Sequence, residues 1–220
     1  MIRLDRNGIV QRPRPPADLV ALTGRNLFVP APELVEWIDE SYLNEDGALF
    51  TPEHKHLAGA NIACLWTNCE NSRRQQRIVG QAEMPANVAS RLGNKWSRGR
   101  AEFQLEQWFG DIPDFLLTFD ALYAKDIDDA TFCSLVDHEL FHCAQATDEF
   151  GMPQFNKVTG LASYCIRGHD VEEFVGVVRR FGIQAAAGKS VELVIAAAAK
   201  PEIATAKLAQ ACGTCLRLAA

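Results

Sequence analysis

Asp128-Asp129-Ala130-Thr131-Phe132-Cys133-Ser134-Leu135-Val136-Asp137-His138-Glu139-Leu140-Phe141-His142 is the stretch on which the reading of this chain turns. Phe132, Val136 and Leu140 recur every four positions, which predicts a helix with one buried face. Asp126, Asp128 and Asp129 supply capping oxygens and negative charge at its start. The predicted helix runs from about Asp128 to Thr147. Residues four apart lie one turn above each other, so His138 and His142 point the same way. Two neutral imidazoles so placed can grip one Zn²⁺. Glu139 stands about 100° round the helix, at the edge of that face, where a carboxylate can take a proton from a metal-bound water. The spacing therefore makes His138 and His142 expected zinc ligands and Glu139 an expected general base for hydrolysis.

A catalytic zinc site needs a third protein ligand and one open position. The downstream candidates gather in Arg167-Gly168-His169-Asp170-Val171-Glu172-Glu173-Phe174. Asp170 with Glu173 resembles a capping box. Val171, Phe174, Val175 and Val178 then form the apolar stripe of a helix from about Val171 to Phe181. That places His169 just before the helix, after a flexible Gly, and makes it the preferred third ligand. Glu172 and Glu173 are the alternatives. His54 and His56, flanked by Glu53 and Lys55, read as loop residues.

Outward from this motif the chain reads as an α+β domain with one small sheet packed against the motif helix. Pro32 to Leu43 carries Leu34, Val35, Trp37, Ile38 and Tyr42 at helical spacing. Asn61–Thr67, Arg77–Glu83 and Phe115–Ala121 read as strands, with Asn68 to Gln76 joining the first two like a hairpin loop. Ala101 to Phe109 reads as a helix, and Glu149 to Gly168 as irregular. The expected division is an Arg- and Pro-rich arm over residues 1–31, the domain over 32–182, and an Ala-rich, helical tail over 183–220.

Composition narrows the function classes. A net charge of −6 speaks against a protein that coats nucleic acid. Arg91, Lys95, Trp96, Arg98 and Arg100 make one basic stretch, read as a solvated helix entry. No run of 18 apolar residues suggests a membrane span, and the first residues lack a signal-peptide core, so a cytoplasmic location is the default expectation. Seven cysteines, an odd and scattered set, argue against a disulfide framework. Cys64, Cys133 and Cys143 read as small buried hydrophobes. Cys212-Gly213-Thr214-Cys215 is a CxxC, but only half of a four-ligand zinc site. Tyr123 and Tyr164 are weak candidates for an oxyanion helper and otherwise ordinary packing aromatics.

Asp137-His138-Glu139-Leu140-Phe141-His142-Cys143, followed by Gly168-His169-Asp170-Val171-Glu172-Glu173-Phe174, resembles the phage and prophage metallopeptidase family. Leu65-Trp66-Thr67-Asn68 and Pro113-Asp114-Phe115-Leu116-Leu117-Thr118-Phe119-Asp120-Ala121 share in the resemblance, which covers about residues 32 to 182. More distantly, HExxH followed by a Gly-His entering a helix is similar to the SprT and Spartan type of zinc protease, with one extra residue between His169 and Phe174. The resemblance implies a zincin-like fold, one zinc per chain, a His third ligand and a protein or peptide substrate. The competing expectation is a non-catalytic, zinc-stabilised protein that binds a phage or host partner. A narrower third reading is a protease acting on DNA-bound proteins.

Overall fold

The computed structural model of the chain describes residues 12–21, 25–73, 75–171, 189–207 and 211–214. Residues 172–181 of the expected helix, with the alternative ligands Glu172 and Glu173, and Cys215 lie outside the described residues.

The fold is mixed α+β, with a small sheet and several helices. Strands β1 (Phe28–Pro30), β2 (Ile62–Thr67), β3 (Asn71–Arg73), β4 (Gln76–Glu83) and β5 (Phe115–Asp120) pair in the order β1-β2-β5-β4-β3. β2 and β5 run parallel, with Ile62 opposite Phe115 and Thr67 opposite Asp120. β5 therefore separates β2 from β4. The hairpin expected between those two strands does not form; the segment between them instead supplies β3, which pairs with β4 itself. Phe115-Leu116-Leu117 is apolar on both faces and belongs in the sheet's centre, where both faces are covered.

Strand periodicity distributes the side chains over two layers. Ile62, Cys64 and Trp66 of β2, with Phe115, Leu117 and Phe119 of β5, enter the main core. Helices α2 (Pro32–Ile38) and α6 (Asp129–His142) supply its other wall through Leu34, Trp37, Ile38, Phe132, Leu135, Val136 and Leu140. Ala63, Leu65 and Leu116 face the opposite way, against Leu105 of α4 (Lys95–Phe109). Phe132 centres an aromatic cluster, 5.6 Å from Trp66 and 5.5 Å from Phe119 between ring centroids. Helix α2 passes into a π-helical turn over Asp39–Leu43, whose Tyr42 donates to the Cys133 carbonyl at 2.8 Å. Helix α3 (Pro85–Ser90) follows β4, and α5 (Ala121–Asp126) follows β5 with Asp120 as its cap.

The ends of the chain depart from expectation. Residues 12–21 and 25–31 pack on the domain, where a loose arm was expected. Arg12 is buried; its guanidinium donates to the Ala124 and Ile127 carbonyls and lies 4.2 Å over the Phe132 ring. Helix α1 (Ala17–Val20) buries Leu19, and β1 extends the sheet. In the tail, helix is confined among the described residues to α7 (Ser190–Ala198) and Gly213–Thr214. A further strand, β8 (Ala211–Cys212), runs parallel to β4, with Cys212 opposite Gly80. Cys64, Cys133 and Cys143 are buried. Trp96 stands 87% exposed at the start of α4.

Candidate metal centre

Helix α6 is set at its start by Asp128, whose carboxylate accepts from Thr131 N at 2.8 Å and from the Thr131 hydroxyl at 2.9 Å. It ends at His142, five residues before the expected Thr147. Cys143–Gln145 leave the helix as β6 and pair antiparallel with β7 (Tyr164–Ile166), so sheet partners satisfy the backbone where a helical turn would have. This hairpin explains how two motifs far apart in sequence meet. Its register carries Arg167 opposite His142: Arg167 N donates to the His142 carbonyl at 2.9 Å, and His142 Nδ1 donates to the Arg167 carbonyl at 2.7 Å. His169 follows two residues later.

The second of those bonds fixes the His142 tautomer with its proton on Nδ1, so Nε2 is the ring nitrogen with a lone pair to offer. His142 Nε2 lies 3.2 Å from His138 Nε2, and His169 Nε2 lies 3.4 Å from His138 Nε2. The His169 ring is 5.2 Å from both others between centroids. His142 is buried, His138 half-buried and His169 exposed, so the cluster opens to solvent on the His169 side. A recess of about 190 Å³ is lined there by His138, Phe141, His142 and residues 167–170. A larger cavity of about 520 Å³, bounded by Leu65, Leu105 and Trp108 between the sheet and α4, touches none of these histidines.

Cys212 is the residue that sequence reasoning left out of the site. Its Sγ lies 3.5 Å from His142 Nε2, and His138, His142 and Cys212 present donor atoms all within 4.8 Å of one another, a group able to hold a metal ion. The spacings match a metal's needs. Nitrogens about 2.0–2.1 Å and a sulfur about 2.3 Å from a tetrahedral zinc stand about 3.3 Å (N to N) and about 3.5 Å (N to S) apart.

Glu139 is fully buried against β4. Its Oε1 has no hydrogen-bond partner, and its Oε2 lies 3.2 Å from the Thr214 hydroxyl. Burial, and then the neighbouring Cys212, push its carboxyl up to about 8. Gly80 makes this approach possible, since a Cβ there would meet Glu139 Oε1 at 2.9 Å.

His54 and His56 are not loop residues. They lie on a 3₁₀ helix, Pro52–Leu57, packed behind α6. His54, 1% exposed, donates to Asp137 Oδ1 at 2.8 Å and packs on Phe141; His56 donates to the Cys143 carbonyl at 2.8 Å. The Tyr164 ring stands edge-on to Phe115, 5.2 Å between centroids, a packing role. Asp170 pairs with Arg167 and lies 3.8 Å from Lys189.

Among the described residues no helix is long and apolar enough to cross a membrane. No curated protein and no solved structure matches the chain. The family model described as "Putative phage metallopeptidase" matches residues 35–199, a span holding the HExxH helix, the β6–β7 hairpin and His169. A metallopeptidase implies a metal, and His138, His142 and Cys212 form a group that could hold one: the chain belongs to the phage metallopeptidase family.

Proposed function

We propose that the protein is a zinc-dependent, zincin-like metallopeptidase in which His138, His142 and His169 hold one zinc ion and Glu139 is the general base. The chemistry a bound zinc supplies is Lewis acidity, which polarises a carbonyl and acidifies water. The chain's own residues do the rest. The Arg167 carbonyl holds the His142 ring in the ligating tautomer. Glu139 Oε1 takes a proton from the attacking water and later delivers it to the leaving amine, the two-way role of a general base that becomes an acid.

One observation carries this reading. Glu139 keeps a buried, unpartnered carboxylate oxygen beside converging imidazole nitrogens. An unpaired buried oxygen costs about 1–3 kcal/mol or more for a charged group, a cost a purely structural site has no reason to carry. Cys212 favours the second reading, a closed structural zinc in a binding protein, because structural sites fill all four positions with protein ligands. Glu139→Gln separates the two. It should keep one zinc per chain by elemental analysis and lose at least about 10²-fold in peptide hydrolysis. Undiminished turnover in that variant refutes the catalytic role. Unchanged zinc content after His138→Ala with His142→Ala refutes the site.

A further inference from the structure

We propose that Cys212 is a metal ligand of this same site, and that the segment Ala211–Thr214 is a self-inhibiting plug whose withdrawal opens the site to substrate. The proposal rests on the zinc peptidase reading above and adds what closes it. Each residue of Cys212-Gly213-Thr214 has a separate part in the closure.

Cys212 Sγ stands at ligand spacing from His142 Nε2, 3.5 Å away, on a strand whose register with β4 sets it opposite Gly80. On ligating, the thiol releases its proton to solvent and occupies the position a substrate carbonyl or a water would need. Gly213 permits the close approach of the segment to β4. A Cβ at that position would meet Gln81 Oε1 at 2.7 Å and Ile78 Cγ2 at 2.9 Å. Thr214 locks the segment and covers the base. Its hydroxyl accepts from Ala82 N at 2.7 Å and directs its proton to the Ala82 carbonyl (2.8 Å) or to Glu139 Oε2 (3.2 Å).

Two independent features point to an occupant here and not to a lone buried thiol. Glu139 is sealed, with an unpartnered Oε1, so the base reaches no substrate while the segment is in place. The segment also pairs with β4 as an added strand, the mode by which extended peptides bind sheet flanks, so tail and substrate compete for one backbone. The approach is guided from further back, where Lys207 N donates to the Thr131 hydroxyl on α6. Cys212 lies beyond residues 35–199, the span matched by the family model.

The test uses the full chain loaded with Co²⁺ in place of Zn²⁺, alongside the zinc form. The wild type should show a thiolate-to-cobalt charge-transfer band that Cys212→Ser abolishes while keeping one metal per chain. Hydrolysis of a casein-derived peptide mixture by the zinc form should rise about tenfold or more in Cys212→Ser, as expected if the open state is a minor population. Gly213→Val, which alters no ligand, should expel the segment, raise hydrolysis likewise and expose Cys212 to a thiol reagent. A band that is absent from the wild type, or that survives in Cys212→Ser, with metal bound, overturns the ligand assignment. Loss of metal from Cys212→Ser together with inactivity of Gly213→Val marks a structural zinc and overturns the plug. Failure of the peptidase reading looks different: Gly213→Val would keep its metal and expose Cys212 to the thiol reagent, yet neither opened variant would hydrolyse peptides.

Discussion

Gly80→Ala links the sheet to the site. A methyl group at residue 80 would stand 2.8 Å from Leu135 Cδ1 and 2.9 Å from Glu139 Oε1. Both neighbours are fully buried, so neither can swing into solvent. Ordinary contact requires α6 to move off β4 by about 0.5 Å, an overpacking that costs about 1–3 kcal/mol. The same motion displaces the Glu139 carboxylate. A misplacement of about 1 Å in a catalytic group costs about 10²-fold, so half of that should cost about tenfold. Urea unfolding at fixed free zinc measures the first quantity, and peptide hydrolysis in a Cys212→Ser background measures the second. Gly99→Ala is the control of opposite sign. Gly99 lies exposed in α4 with nothing within 4 Å of its would-be Cβ, and Ala there should stabilise by about 0.5–1 kcal/mol. A Gly80→Ala protein within about 0.5 kcal/mol of its parent, with full activity, would refute the claim that this glycine sets the seat of Glu139.

Three further outcomes can be measured. Asp128→Ala should cost about 1 kcal/mol in thermal or urea unfolding at neutral pH, the usual worth of an N-cap. The Thr131 N–H holds the Asp128 carboxyl below its ordinary range, so its contribution is complete above that range and is lost as pH falls through the lowered value. The gap between variant and wild type should therefore close in acid. Tyr42→Phe should cost about 1 kcal/mol by removing the buried bond to the Cys133 carbonyl, with zinc content unchanged. Chelation should lower the unfolding free energy by about 2.7 kcal/mol relative to protein held at a free zinc concentration of about 100 times Kd; no change would mean that the folded state binds no metal.

The elements legible in the sequence were those whose pattern is local. Ile62–Thr67 and Phe115–Asp120 are short apolar runs buried on both faces, and the stripe of α6 faces the core. What decided the rest was not local. The chain alone does not announce that β5 inserts between β2 and β4, because strand order depends on which strand most needs covering on both faces. The end of α6 is fixed by partners at Tyr164–Ile166, so helical periodicity overran it. His54 reads as a surface residue between two charges, yet a 3₁₀ turn aims it inward at Asp137 while Glu53 and Lys55 face out. Spacing and the needs of a metal nominate His138, His142 and His169; His138 Nε2 lies 3.2 Å from His142 Nε2 and 3.4 Å from His169 Nε2, while the group able to hold an ion joins Cys212 to His138 and His142. Cys212, 70 residues from His142, had only a half-motif to speak for it. The closer signal was the Gly-Thr after it, a pair suited to close backbone approach and a hydroxyl cap.

The β6–β7 hairpin makes the distance between the two halves of the metal centre independent of the length of chain between them. His142 is tied to Arg167 through both its carbonyl and its ring, and three register pairs hold the strands beneath. Everything from Ala146 to Ser163 hangs from that clamp as an excursion, with Phe150, Met152, Val158 and Leu161 displayed on its surface. Residues can be inserted, removed or exchanged there at little entropic cost and with no change in where His169 meets His138. Chemistry and selectivity can then vary separately: the clamp holds the proposed hydrolytic centre constant whatever the sequence of the excursion.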